Sequence, residues 1–183
     1  DVADLRDTAG GADLIVITDK DLFPSAEAYR TYRQAQSGLI VRIVTTDQIY
    51  YQFNGGTPDP TALRDYIAFA YRTWVKKPSY VLFWGDGHFD YRSLTPGITA
   101  KNFVPTYQTY DADGDMNSVN TNIMTEDYFV CVNGDDDLVD LALGRLCVRS
   151  NDEGATILSK IRRYETASSV DNWRTRLLLT ADD

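Results

Sequence analysis

A chain of 183 residues, 43% hydrophobic and 25% charged, is long enough to bury one sizeable core and carries no low-complexity run. No apolar stretch approaches the ~18 residues a membrane span needs, and a net charge of −9 has the wrong sign for a nucleic-acid partner. The whole excess lies between Asn102 and Gly144, where nine acids meet no Lys or Arg, so a cation is the partner that the charge invites.

The chain starts at Asp1 with neither an initiator Met nor a signal-peptide pattern, and is therefore expected to be a processed piece. Strand and helix signals then alternate. Residues 12–18 (ADLIVIT) form a short β-branched apolar run, expected as a buried strand. Ser25 is placed to cap a helix to about Gln36, with Gly38 ending it. Residues 39–45 predict a second strand, and Asp47 is placed to cap a short helix to Phe53. After the turn-rich NGGTPDP, Asp59 and Pro60 suit the N-cap and first position of a helix. Leu63, Tyr66, Ile67, Ala70, Tyr71 and Trp74 recur along its buried face.

Residues 80–84 (YVLFW) predict a third strand, cut off by GDG. Residues 90–122 are expected to be mostly loop, with a short strand near Phe103. Residues 128–132 and 138–143 are expected as two short strands around the turn NGDDD. A helix over 151–168 and a last strand over 176–180 complete the reading. Such alternation implies an α/β, three-layer sandwich: a mainly parallel sheet with helices on both faces and ligands at the carboxyl ends of its strands.

Six phrases in order, GADLIVIT, GGTPDPTALRDYI, PSYVLFWGDGHFDYR, TEDYF, LALGRLCV and NWRTRLLLTADD, resemble the gingipain-like cysteine peptidases of family C25. The branch most similar is that of the type IX secretion sortase, and the resemblance covers nearly the whole chain. It implies a caspase-like fold built as two subdomains, with residues 1–183 as the first and the catalytic His and Cys in the second. It also implies a secreted or outer-membrane surface location, a protein or peptide substrate, and bound calcium. His88, Cys131 and Cys147 do not match the family's catalytic phrases. The strand end LLLTADD does match the place where the family sets an acid that orients the His, which points to Asp183 or Asp182.

Two clusters carry chemistry of their own. Asp111, Asp113 and Asp115 alternate around Gly114, which suits oxygen ligation of calcium, although Met116 and Asn122 depart from the EF-hand pattern. Asp86, His88 and Asp90 follow a strand end and are read as cleft-rim residues or as a metal or acid–base cluster. Asp135, Asp136 and Asp137 are expected to decorate a hairpin turn, with Arg145 pairing one of them. Cys131 and Cys147 are expected as small buried residues, a disulfide between them being open. With His88 they fall short of a zinc set.

Three functions from different classes remain. The first is the first half of a cysteine endopeptidase, inactive alone. The second is a non-catalytic, calcium-dependent adhesion or assembly module. The third is a metal-dependent hydrolase built on His88, Asp86 and the acidic loop of Asp111, Asp113 and Asp115.

Overall fold

The computed structural model describes residues 4–110, 122–134, 136, 138–166 and 175–180. β1 (Leu14–Thr18) is buried along its whole length, as a strand covered on both faces must be. α1 (Phe23–Ser37) starts earlier than expected, with Pro24 in its first turn, and ends at Gly38. Ser25 is not its cap; its hydroxyl donates back to the Leu22 carbonyl at 2.9 Å. β2 (Val41–Thr45) leads directly into α2 (Thr46–Phe53), capped by Thr45 rather than Asp47. Thr45 is the last extended residue, and only there can a hydroxyl reach the Gln48 amide while the Gln48 side chain returns to the Thr45 amide. α3 (Pro60–Thr73) opens as expected, Asp59 accepting from the Thr61 amide at 2.8 Å.

β3 (Tyr80–Trp84) ends at Gly85. The expected strand near Phe103 is absent: the Phe103 and Val104 amides both donate to the Asp86 carbonyl, which holds them in a tight loop. A hairpin of β4 (Tyr107–Tyr110) and β5 (Asn122–Thr125) stands apart from the main sheet. The expected strand over 128–132 is also absent. Asp127–Phe129 is a 3-10 turn, and Phe129, Val130 and Val132 are buried as loop residues beneath the sheet. Their apolar spacing imitates a strand because the loop packs against one surface. β6 (Ala142–Leu146) overlaps the second expected strand only at its end, and α4 (Asn151–Thr166) follows.

The main sheet runs β2-β1-β3-β6, all parallel, with Leu14 opposite Val41 on one side and Tyr80 on the other. Alternate residues feed two cores. Ile15, Ile17, Val44, Val81 and Phe83 face α2 and α3, while Leu14, Val16, Val41 and Trp84 face α1 and α4. Gly154 allows α4 to close on α1. A Cβ there would lie 2.6 Å from the Ser25 Cβ and 3.1 Å from the Trp84 ring.

Residues 176–180 do not join this sheet. Leu177, Leu178 and Leu179 are 83–89% exposed and in no strand. Handedness supplies the reason. The crossover from β1 to β2 runs over the α1 face, and the return from β2 to β3 runs over the α2–α3 face. Opposite directions over opposite faces give one hand. A parallel strand outside β6, reached through α4 on the α1 face, would have the other hand, which parallel crossovers almost never adopt.

Candidate functional site at the strand carboxyl ends

The GDGHFD loop leaves β3 where an open parallel sheet places its ligands. Its residues are anchored separately. Asp86 accepts from Arg149 Nε at 2.6 Å and from the Gly87 amide at 3.0 Å. Burial pushes its carboxyl up, but these two bonds and the nearby guanidinium charge outweigh that and hold it below the ordinary range. Gly87 is required by close approach, since a Cβ would fall 1.9 Å from the Val104 carbonyl oxygen. Asp90 is buried and accepts from the Leu94 and Thr95 amides at 2.9 and 2.8 Å, which favours the carboxylate and holds its pKa below the ordinary range.

His88 exchanges two bonds with Asn102 and sets its Nε2 3.1 Å from the Ala100 carbonyl. Its Nδ1 is buried and has no partner among the described residues. Asp86 and Asp90 are thus committed to fixing the loop, and among the described residues no three His, Cys, Asp or Glu side chains gather as metal ligands.

The loop continues as a strap, residues 91–102, over the ends of β1 and β2. Lys101 ties it down, its Nζ lying 2.7 Å from Asp19 Oδ1 and 2.5 Å from Asp21 Oδ2. Arg145 on β6 holds the chain where it enters the loop and where it leaves the strap. Its Nη1 donates to the Gly85 and Val104 carbonyls at 3.1 and 2.6 Å, and its Nη2 to the Pro105 carbonyl at 3.1 Å. Nε and Nη2 complete a two-pronged pair with Glu126 at 2.6 and 3.1 Å. The ion pair expected for Arg145 exists, but its partner is Glu126 and not the Asp135–Asp137 run. Of that run Asp136 bonds the Leu138 amide, while Asp135 and Asp137 lie outside the described residues. The Lys101 clamp had no signal in the sequence, because its carboxylates are about eighty residues away along the chain.

The two cysteines are not joined. Cys147 is exposed and Cys131 partly buried, against the expectation of two buried residues. Burial of its sulfur, reinforced by Asp86, pushes the Cys147 thiol up, the reverse of what a nucleophile needs. Asp111, Asp113, Asp115, Asp182 and Asp183 all lie outside the described residues.

Comparison with known proteins adds a relationship that the geometry alone does not carry. The profile of Peptidase family C25 matches residues 7–183. The crystal structure of dimeric latent PorU from Porphyromonas gingivalis is similar at 30% identity and a TM-score of 0.71, over 91% of this chain and 17% of that one. A structure described only as a protease is similar at 20% identity and a TM-score of 0.56, over 93% of this chain and 31% of that one, and shows the fold alone. No curated protein matches the chain.

Proposed function

Because the chain belongs to peptidase family C25, we propose that it is the N-terminal part of a secreted or surface cysteine endopeptidase of that family, of the type IX sortase kind. The single observation that carries this reading is the family match across residues 7–183. The 30% identity to PorU supports the branch, and the chain spans about a sixth of that protein's length. In this reading the nucleophilic Cys and its His base come from polypeptide outside residues 1–183. Residues 1–183 supply the scaffold and one wall of the substrate cleft, with Asp86, His88 and Asp90 along its rim.

Two roles come from sequence alone. Asp183 or Asp182 accepts from the catalytic imidazole, fixing its tautomer and stabilising the imidazolium formed when the Cys loses its proton. Asp111, Asp113 and Asp115 ligate calcium.

The test is a peptidase assay on residues 1–183 with a mixture of unstructured protein substrates. No turnover is expected. Turnover lost on Cys131→Ala or Cys147→Ala would place the nucleophile inside this chain and overturn the division of labour.

A further inference from the structure

Beneath the strap, the ends of β1 and β2 open into a cavity of about 370 Å³. Among its lining side chains Asp19, Thr46 and Tyr50 are each more than nine-tenths buried. Asp19 is engaged, its Oδ1 accepting from the Asp21 amide at 2.8 Å and from Lys101 at 2.7 Å. Tyr50 is not. Its hydroxyl has no hydrogen-bond partner among the described residues, and burial, then the charges of Asp47, Asp59 and Asp19, keep it protonated by pushing its pKa up. The Tyr50 ring is buried while its hydroxyl oxygen is not sealed from the cavity, so a ligand N–H can reach it there. Asp47, at the rim, holds only a surface pair with Lys20 at 3.2 Å, both side chains more than half exposed.

We propose that this cavity binds the ammonium or guanidinium head of an organic cation. Tyr50 Oη accepts one N–H and the Asp47 carboxylate another, with Asp19 and Asp59 supplying field. The fixed Lys101 ammonium, already lying on Asp19, shows that a cationic head is accommodated at this wall. The volume admits a head group with a short alkyl chain, at the small end of ligand sites. A neutral head forgoes the charge–charge attraction, and an anion meets repulsion. Two sources carry this chemistry, a basic side chain of a polypeptide or a free amine. The binding does not rest on the peptidase reading, nor does it concern the residue at a cleaved bond.

Amide-resolved NMR titration of the whole chain at fixed ionic strength tests it, with n-butylammonium and methylguanidinium as probes and 1-butanol and methylurea as neutral counterparts. The cations should give saturable shifts at Asp47, Tyr50 and Lys101, and the neutral probes should not. Asp47→Asn should weaken cation binding about tenfold and Tyr50→Phe severalfold. Neither change alters the buried framework, which an unchanged melting temperature would verify. A capped lysine tripeptide binding more tightly than 1,5-diaminopentane assigns the site to polypeptides, and the reverse order assigns it to free amines. Equal shifts from neutral and cationic probes, or equal cation affinity in the parent chain and the Asp47→Asn/Tyr50→Phe double variant, would overturn the proposal.

Discussion

Arg145 spends every guanidinium N–H on an acceptor: three backbone carbonyls and both oxygens of Glu126. It also lies over the Phe83 ring, 4.9 Å from its centroid. Lys has neither the planar fork nor the reach to serve five acceptors, so Arg145→Lys should cost about 2–4 kcal/mol, read as a lowered urea midpoint with an unchanged slope. Glu126→Gln keeps one acceptor and the carbonyl contacts, and should cost less. An Arg145→Lys variant as stable as the parent chain would remove Arg145 from the framework. That Arg145 would be paired was legible from its chemistry; which acid it chose was not, since the nearest acid in sequence, Asp140, accepts from the Val132 and Asn133 amides while Glu126 is brought in at the start of the 3-10 turn after β5. The proposed role of Asp183 and Asp182 is also a matter of single side chains. In the polypeptide that carries the dyad, the double Asn variant should lose turnover on the order of a hundredfold or more with an unchanged melting temperature. Full activity would end that assignment.

Helices α1 and α4 meet through Gly154, and here the usual arithmetic of helix propensity reverses sign. An exposed helical Gly replaced by Ala gains about 1 kcal/mol. At Gly154 the new methyl would stand 2.6 Å from the Ser25 Cβ and 2.7 Å from the hydroxyl that accepts from the Trp84 indole. Gly154→Ala should therefore destabilise by about 1–3 kcal/mol in thermal or urea unfolding. Ser25→Gly in the same chain should recover part of the loss, and a Gly154→Ala chain with a raised melting temperature would show that the helices are free to move apart. At this scale the sequence was most legible where one local rule decides an element. β1, β3 and α3 fall where their apolar runs and the Asp59–Pro60 cap put them. It was least legible at residues 128–132 and 176–180, where apolar runs answer to tertiary constraints: a loop packed under the sheet, and the hand of a crossover.

Handedness also governs the molecule as a whole. The open outer edge of β6 and the exposed leucines of residues 177–179 are both unpaired within the described residues, yet α4 lies on the wrong face to bring them together in parallel. Amide hydrogen exchange should find residues 177–179 essentially unprotected while Ile15, Val16 and Ile17 of β1 exchange only by global unfolding. Strong protection at 177–179, shared with Gly144 and Leu146, would mean that the edge is closed after all. The unbalanced acidity of residues 102–144 has a global readout of its own. If Asp111, Asp113 and Asp115 ligate calcium, the ion should raise the melting temperature, by about 2.7 kcal/mol of stability at a hundred times its dissociation constant, and Asp113→Ala should remove most of the gain. A transition that neither calcium nor EDTA moves would leave the loop merely acidic.

The strand order carries a further consequence, for the way the chain is made. β1 leaves the ribosome before β2 and β3 and sits between them, with Thr18 paired to Thr45 on one side and Trp84 on the other. At translation rates of 5–20 residues per second, about 3–13 s separate the emergence of β1 from that of its second neighbour. For that interval a strand that is apolar at all but Thr18 has at least one edge bare, and β3 in turn waits for β6, its partner from Ala142 onward. A nascent chain halted between these points would expose a sticky, unfinished sheet, so slow stretches of message or chaperone contacts should matter most while residues 46–84 and then 107–146 are being added.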